Sequence, residues 1–383
     1  MRLRIGIDYT SALRQGAGIG RYTRQLVDAL LKLDAEEEFV IWAAVAGIPD
    51  AATRLALLSE HSNVRTVSVP VSERALTILW HRLCCTLPVE WFTGPVDILH
   101  SPDFALPPAR KARTIVTVHD LSFMRVPDCF EPSLKSYLMQ VVPESVRRAH
   151  VVLADSIATQ RDVVELLGVD EARVKVVYAG VDHAFARVTD PQALEAVRQR
   201  YSLPKRFVLG LGTLQPRKNF ETLIEAFARI LRGAQTGLGL VIAGQPGWMH
   251  EGIFRKVEKL GLGDSVRFPG YVAESDLPAL YSLADVFAFP SLYEGFGLPP
   301  IEAMACGTPV VTSSVSSLPE VVDGAALLVE PMDEDGLAAA INRLLDGSPL
   351  RQGLIARGFS QAARFTWARA AEKLLNVYRQ LAG

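Results

Sequence analysis

Short apolar runs rich in Val and Ile alternate with longer amphipathic or polar stretches along the whole chain. Residues 3–8, 38–45, 64–69, 96–101, 114–120, 150–156 and 174–180 read as one series of buried strands. A second series covers 206–212, 238–244, 265–271, 284–291, 308–314 and 325–331. Continuous apolar runs separated by helical segments predict parallel sheets covered on both faces. Residues 219–231 and 253–260 are examples of the intervening helices. Between the two series, 184–204 is polar and irregular and reads as a connector ending at Leu203-Pro204. Residues 365–381 read as a final helix with Trp367, Ala371, Leu374, Leu375 and Tyr378 on one side.

With 383 residues the chain is too long for one ordinary core and suits two domains. The expected architecture is therefore α/β: two doubly wound parallel-sheet domains facing across a cleft, with ligands outside the carboxyl ends of the strands. The expected boundaries are 1–185 for the first domain and 205–364 for the second.

Composition narrows the function. The formal charge of −2 gives no reason to expect a nucleic-acid partner. Cys84, Cys85, Cys129 and Cys306 have no zinc-ligand spacing and read as free thiols of a reducing compartment. The start, MRLRIGIDYT, lacks an apolar signal-peptide core, and no run is long and apolar enough for a transmembrane helix. A cytoplasmic protein is expected. In 74–92, Trp80 and Trp91 mix with Arg74 and Arg82, a pattern compatible with resting on the inner face of a membrane. A helix packed on the first sheet is the preferred reading of that stretch.

Four constellations carry candidate chemistry. Glu294 and Glu302 flank a Gly-Phe-Gly turn and a Pro-Pro helix start, so two carboxylates share one loop-to-helix junction. Such a pair can grip two polyols, as a sugar nucleotide presents. Gly210 to Asn219 runs from a strand end into a helix, with Arg217 and Lys218 at the mouth and Asn219 as expected N-cap. Two cations at a helix start suit a diphosphate. A solvated basic turn is the competing reading. Gly16, Gly18 and Gly20 with Arg21 form a glycine loop unlike a dinucleotide fingerprint, because Thr10–Gln15 separate it from the strand. His119-Asp120 ends a buried strand, where His119 could donate to a sugar hydroxyl or simply be a satisfied buried histidine. No DxD triplet or His/Cys cluster is present, so no metal and no cofactor are expected.

Together these residues resemble the retaining glycosyltransferases of family 4, which have the GT-B fold. The resemblance covers nearly the whole chain. It rests above all on EGFGLPPIEAMACGTPVV (294–311), GTLQPRKNFETLIEAF (212–227), FPGYV (268–272) and ADVFAFPS (284–291). GIGRY (18–22), VHD (118–120), ADSIATQRDV (154–163) and GVD (180–182) add weaker support. Ala179 departs from the Asn that the family commonly has before Gly-Val-Asp.

The resemblance implies a two-domain hexosyltransferase that needs no metal. The first domain would bind the acceptor, with 365–383 crossing back to it, and the second would bind the nucleotide-sugar donor. Glu302 would hold the ribose and Glu294 the transferred sugar. Phe296, Gly297 and Leu298 would offer backbone amides, Arg217 and Lys218 would neutralise the diphosphate, and Gly212 would lie beside them. Gly18 and Gly20 would close over the phosphates, Tyr271 and Val272 would line the base pocket, and His119 would sit beside the donor sugar. The implied catalytic set is His119, Arg217, Lys218 and Glu294. The mannosyltransferase branch is the best match, implying GDP-mannose and a saccharide or lipid-linked acceptor in surface polysaccharide or O-antigen synthesis. UDP-glucose or UDP-galactose donors come next. A nucleotide-sugar epimerase and a non-catalytic binding subunit are the rivals from other classes. No oligomeric state is implied.

Overall fold

The computed structural model describes residues 2–16, 18–33, 35–83, 85–233, 237–347 and 349–383. Cys84 and Ala17 of the glycine loop lie outside the described residues. Cys85, Cys129 and Cys306 are free thiols.

The chain divides into two compact units. The first comprises Met1–Leu121, Ser136–Gly180 and Trp367–Gly383. The second comprises Ser122–Lys135 and Val181–Thr366. The stretch Ser122–Lys135 is thus grouped with the second unit. There the Trp248 indole N–H donates to the Cys129 carbonyl at 2.6 Å, and the Phe130 and Trp248 rings lie 5.8 Å apart.

The first unit holds strands β1 (Arg4–Asp8), β2 (Glu38–Ala44), β3 (Val64–Val69), β4 (Ile98–Ser101), β5 (Arg113–Val118), β6 (Val151–Ala154) and β7 (Val174–Val176). They form one sheet in the order β3-β2-β1-β4-β5-β6-β7, and every pair is parallel. The second unit holds β8 (Arg206–Leu211), β9 (Leu238–Ala243), β10 (Val266–Gly270), β11 (Val286–Phe289), β12 (Val310–Ser313) and β13 (Leu327–Val329). Its order is β10-β9-β8-β11-β12-β13, also parallel. Each apolar run named from the sequence overlaps one of these strands.

Both sheets reverse their winding beside their first strand. The reversal lies between β1 and β4 in one and between β8 and β11 in the other. A doubly wound sheet opens a crevice at that switch point, outside the carboxyl ends of the two strands. In the second unit the strands flanking it are those that lead into the Arg217-Lys218 loop and the Glu294 loop. The sheet is held from one side by Phe220, Leu223, Ile224 and Phe227 of the helix Phe220–Arg232, which pack on Val208, Leu240 and Ile242.

The connector expectation needs correction, because residues 191–200 form a helix. Asp190 caps it by accepting from the Gln192 and Ala193 amides, and Pro191 occupies its first turn. Only Val197 is buried along it, so an apolar period was scarcely visible. The helix is tied to the second unit by Arg200 and Tyr201, both of which donate to Asp276, at 2.6 and 2.7 Å.

Residues 74–92 are not one helix. A short helix Glu73–Thr77 widens into a π turn over Ile78–Arg82, and a separate turn covers Glu90–Thr93. Trp80 is buried against Trp42 and donates to the Leu87 carbonyl at 3.0 Å. Leu83 and Trp91 are exposed. Among the described residues no helix is long and apolar enough to cross a membrane.

The helix Trp367–Ala382 packs on the helix Ile19–Leu31 within the first unit. Tyr22 meets Trp367 edge-on at 5.6 Å. At its far end the Tyr378 hydroxyl lies 2.7 Å from His100 Nδ1 on β4.

Candidate functional site

Strand β8 ends at Leu211, and the chain turns through Gly212–Gln215 into a 3-10 turn, Pro216–Lys218. Neighbouring β11 ends at Phe289 and leads through Pro290–Gly297 into the helix Leu298–Ala305. The two loops therefore leave adjacent parallel strands at the switch point and meet. Leu292 N–H donates to the Arg217 carbonyl at 2.9 Å. Arg217 Nη1 donates to the Tyr293 carbonyl at 2.7 Å.

Three charged side chains converge there. Lys218 Nζ lies 2.6 Å from Glu294 Oε1, and Arg217 Nη1 lies 3.0 Å from Glu294 Oε2. Lys218 Nζ also sits 4.9 Å from the centre of the Phe289 ring. All three side chains are nearly buried, at 9–13% exposure. Burial pushes the Glu294 carboxyl up, but the charges of Arg217 and Lys218 outweigh it and hold the group down at about 2. Glu294 is therefore a carboxylate at neutral pH, and its two oxygens face cations. A proton donor would need the opposite shift. The net charge of the trio is +1, which suits an anion.

Asn219 holds these loops together differently from the expected cap. It adopts a left-handed conformation (φ 56°) and makes no side-chain cap. Its Nδ2 donates instead to the Pro290 and Pro331 carbonyls, at 2.9 and 2.6 Å, while its Oδ1 accepts from Thr222 at 2.7 Å. One buried amide thus ties the β8 loop to the β11 and β13 loops.

The Gly-Phe-Gly turn is braced from the β12 loop. Ser317 Oγ donates to the Glu294 and Phe296 carbonyls at 2.9 and 2.8 Å, and Ser316 Oγ accepts from the Glu294 amide at 2.9 Å. Gly297 takes φ 102° as the residue that opens the helix, a conformation that favours glycine. Phe296 is buried against Phe365, and Leu298 begins the helix. Serine pairs give little signal in a sequence, so Ser316 and Ser317 were missed.

Glu302 lies in the second turn of this helix, and it is buried. The Tyr281 hydroxyl donates to Glu302 Oε2 at 3.0 Å. Burial, with Glu302 adding to it, pushes the Cys306 thiol up to about 12, so that sulfur is inert. Tyr271 is exposed and Val272 buried just beyond β10. Gly212 lies against the Lys218 stem: a Cβ there would come within 3.3 Å of Lys218 Cε.

The first unit carries the other named residues. Gly18 opens the helix Ile19–Leu31. Gly20 is packed so closely that a Cβ would fall 2.3 Å from the Gln15 carbonyl. Arg24 braces the turn by donating to the Ala12, Gln15 and Gly16 carbonyls at 2.6–2.8 Å. His119 is buried, with Nδ1 2.7 Å from Asp155 Oδ2 and Nε2 3.0 Å from the Pro102 carbonyl. Both ring nitrogens are thus engaged within the protein, a pairing the sequence reading did not include. Among the described residues no group of three or more His, Cys, Asp and Glu is gathered as a metal site would require.

Residues 16–185 match the family described as Glycosyltransferase Family 4, and residues 195–361 match Glycosyl transferases group 1. The chain is 31% identical over 370 residues to O-antigen chain mannosyltransferase B of Escherichia coli, spanning 95% of this chain and 96% of that one. It is 32% identical over 275 residues to the serotype-specific mannosyltransferase WbdA of Escherichia coli, across 70% of this chain and 34% of that longer protein. In structure it resembles sucrose-phosphate synthase from Thermosynechococcus elongatus, with a TM-score of 0.77, 24% identity and 99% of both chains covered.

Proposed function

Since this chain belongs to glycosyltransferase family 4, a retaining and metal-independent family of hexosyltransferases with the GT-B fold, we propose that it transfers mannose from GDP-mannose. The proposed acceptor is a saccharide or lipid-linked oligosaccharide in the synthesis of a surface polysaccharide of the O-antigen kind. The observation that carries the donor site is the Arg217-Lys218-Glu294 cluster at the β8/β11 switch point. Mannose as the sugar is supported by the mannosyltransferase relatives.

In this reading Arg217 and Lys218 take the diphosphate. An anion entering the cluster brings negative charge to two cations already desolvated and fixed, so little reorganisation accompanies binding. Glu294 sets those cations in place and turns toward hydroxyls of the transferred sugar. Glu302 takes the ribose hydroxyls, and the amides of Phe296, Gly297 and Leu298 complete the cradle. Tyr271 and Val272 line the base pocket. The assignments of Gly18, Gly20 and His119 to the donor rest on the family resemblance.

The chemistry assigned to the site is front-face substitution. The acceptor oxygen bonds to the anomeric carbon while the bond from that carbon to the β-phosphate oxygen breaks. The acceptor proton passes to the departing phosphate. A carboxylate held at about 2 between two cations is a poor base and a poor nucleophile, so Glu294 serves position and electrostatics.

A panel of GDP- and UDP-sugars, read by melting temperature and by acceptor-dependent release of nucleoside diphosphate, tests this reading. GDP-mannose should stabilise the protein most and be the donor consumed. Preference for UDP-glucose or UDP-galactose would replace the donor while keeping the site. Turnover without an acceptor would point instead to an epimerase.

A further inference from the structure

Val118 and Ala154 pair directly across β5 and β6, so the residues that follow them, His119 and Asp155, leave the sheet side by side. Pro102 follows β4, the neighbour of β5 on its other side. The His119 ring spans all three strand ends, from Asp155 Oδ2 to the Pro102 carbonyl. Both of these partners accept hydrogen bonds when the carboxylate is ionised. A neutral imidazole has one N–H and satisfies one of them, whereas an imidazolium satisfies both.

The ring is boxed in as well as bonded. Tyr22 and Phe104 meet it edge-on at 4.9 and 5.6 Å. Thr159 Oγ1 donates to the His119 carbonyl at 3.3 Å. The titratable groups around the ring are Asp103 beyond β4, His100 on β4, Asp155 beyond β6 and Tyr22 on the helix Ile19–Leu31, with Asp120 acting on Asp155. His100 is pushed down to about 3 by burial and by His119, so it adds no charge.

We propose that Asp155 is a positioning residue for the transfer reaction: it sets the His119 ring across the loops that follow β4, β5 and β6 and keeps that ring a cation. The inference rests on the proposed function, in which His119 is assigned to the donor. Burial alone would drive His119 to the neutral form; Asp155, with help from Asp103, reverses that and carries it up to about 9. Burial in turn pushes the Asp155 carboxyl up while His119 draws it down, so the buried pair shares its charge and Asp155 is the chief partner of the ring.

The test is a pair of measurements on the full chain. The imidazole titration of His119 is followed by NMR and assigned by comparison with His119→Gln. A midpoint near 9 is expected in the wild type, falling to 6.5 or below in Asp155→Asn and rising again in Asp155→Glu. A wild-type midpoint near 6.5 overturns the proposal without any variant having to fold. The pH profile of kcat gives the second readout. Asp155→Asn should lose at least tenfold more activity at pH 8 than the wild type does, with the fall-off beginning two units or so earlier. An Asp155→Asn profile parallel to that of the wild type would make Asp155 a packing residue and sink the proposal. Failure of the wild type to transfer any sugar, with His119 still titrating near 9, would count against the proposed function and leave the pairing standing.

Discussion

Lys218 and Glu294 are 76 residues apart in sequence, yet Lys218 Nζ lies 2.6 Å from Glu294 Oε1 in a site nearly closed to water. They come from the loops after β8 and β11, which the chain reaches in separate passes but the sheet places side by side. A parallel sheet that reverses its winding brings such loops together. The pair is thus a consequence of topology before it is a matter of chemistry.

Lys218→Ala should cut kcat by about 100- to 1,000-fold, the usual cost of removing one fixed stabilising group from a charged transition state. The fold should survive, because Arg217 still faces Glu294 at 3.0 Å. Acceptor-dependent release of nucleoside diphosphate at saturating donor measures the rate, and circular dichroism the fold. Activity near that of the wild type would remove Lys218 from the site.

Glu294→Gln should behave in the opposite sense toward stability. It leaves two cations desolvated with no counter-charge, a change that costs about 3–5 kcal/mol when one partner of a buried pair is lost. The variant should melt lower, and a nucleoside diphosphate should restore more of its melting temperature than it adds to the wild type. Differential scanning fluorimetry with and without GDP or UDP reads both. Equal ligand-induced shifts in the two proteins would show that the cations do not receive the diphosphate.

Tyr281→Phe removes the hydroxyl that donates to Glu302 Oε2 while keeping the ring that packs on Phe185 and Phe287. A hydrogen bond to a buried charged group contributes about 1.5–3 kcal/mol, and part of that should appear as lost orientation of Glu302. The donor KM should rise about tenfold or more, with kcat changed less. An unchanged KM would separate Glu302 from donor binding.

Among the groups that link stability to pH, Glu294 and His119 act with opposite signs. The Glu294 carboxyl lies below its ordinary 4.5 in the folded chain, so its contribution is present above 4.5 and disappears as pH falls through about 2. His119 lies above its ordinary 6.5, so its contribution is full below 6.5 and disappears as pH rises through about 9. Urea midpoints of the wild type should therefore fall between pH 6.5 and 9, and His119→Gln should lack that fall. The same alkaline slope in both proteins would mean that His119 is not the group responsible.

The strands were legible because Val- and Ile-rich runs such as 38–45 and 206–212 carry their burial in local composition. The runs read slightly long, since residues such as His119 and Gly212 continue the apolar phrase after ladder pairing has stopped. Arg217, Lys218 and Glu294 were legible as candidates because each lies beside a strand end, but their mutual ion pairs come from strands brought together by topology. The helix 191–200 was missed because it buries little more than Val197. The tether from Asn219 to Pro290 and Pro331 spans 71 and 112 residues and leaves no local trace. The same holds for His119 and Asp155, whose pairing follows from the register of β5 and β6.

The most direct test of the central claim is one transfer assay with GDP-mannose, an oligosaccharide acceptor, the wild type and Lys218→Ala, with the product linkage read by NMR. The expected outcome is acceptor-dependent release of GDP by the wild type, a mannosyl product that keeps the donor's anomeric configuration, and a rate at least ~100-fold lower for the variant, in line with the loss of one stabilising cation. An inverted product, or a variant as fast as the wild type, would contradict it.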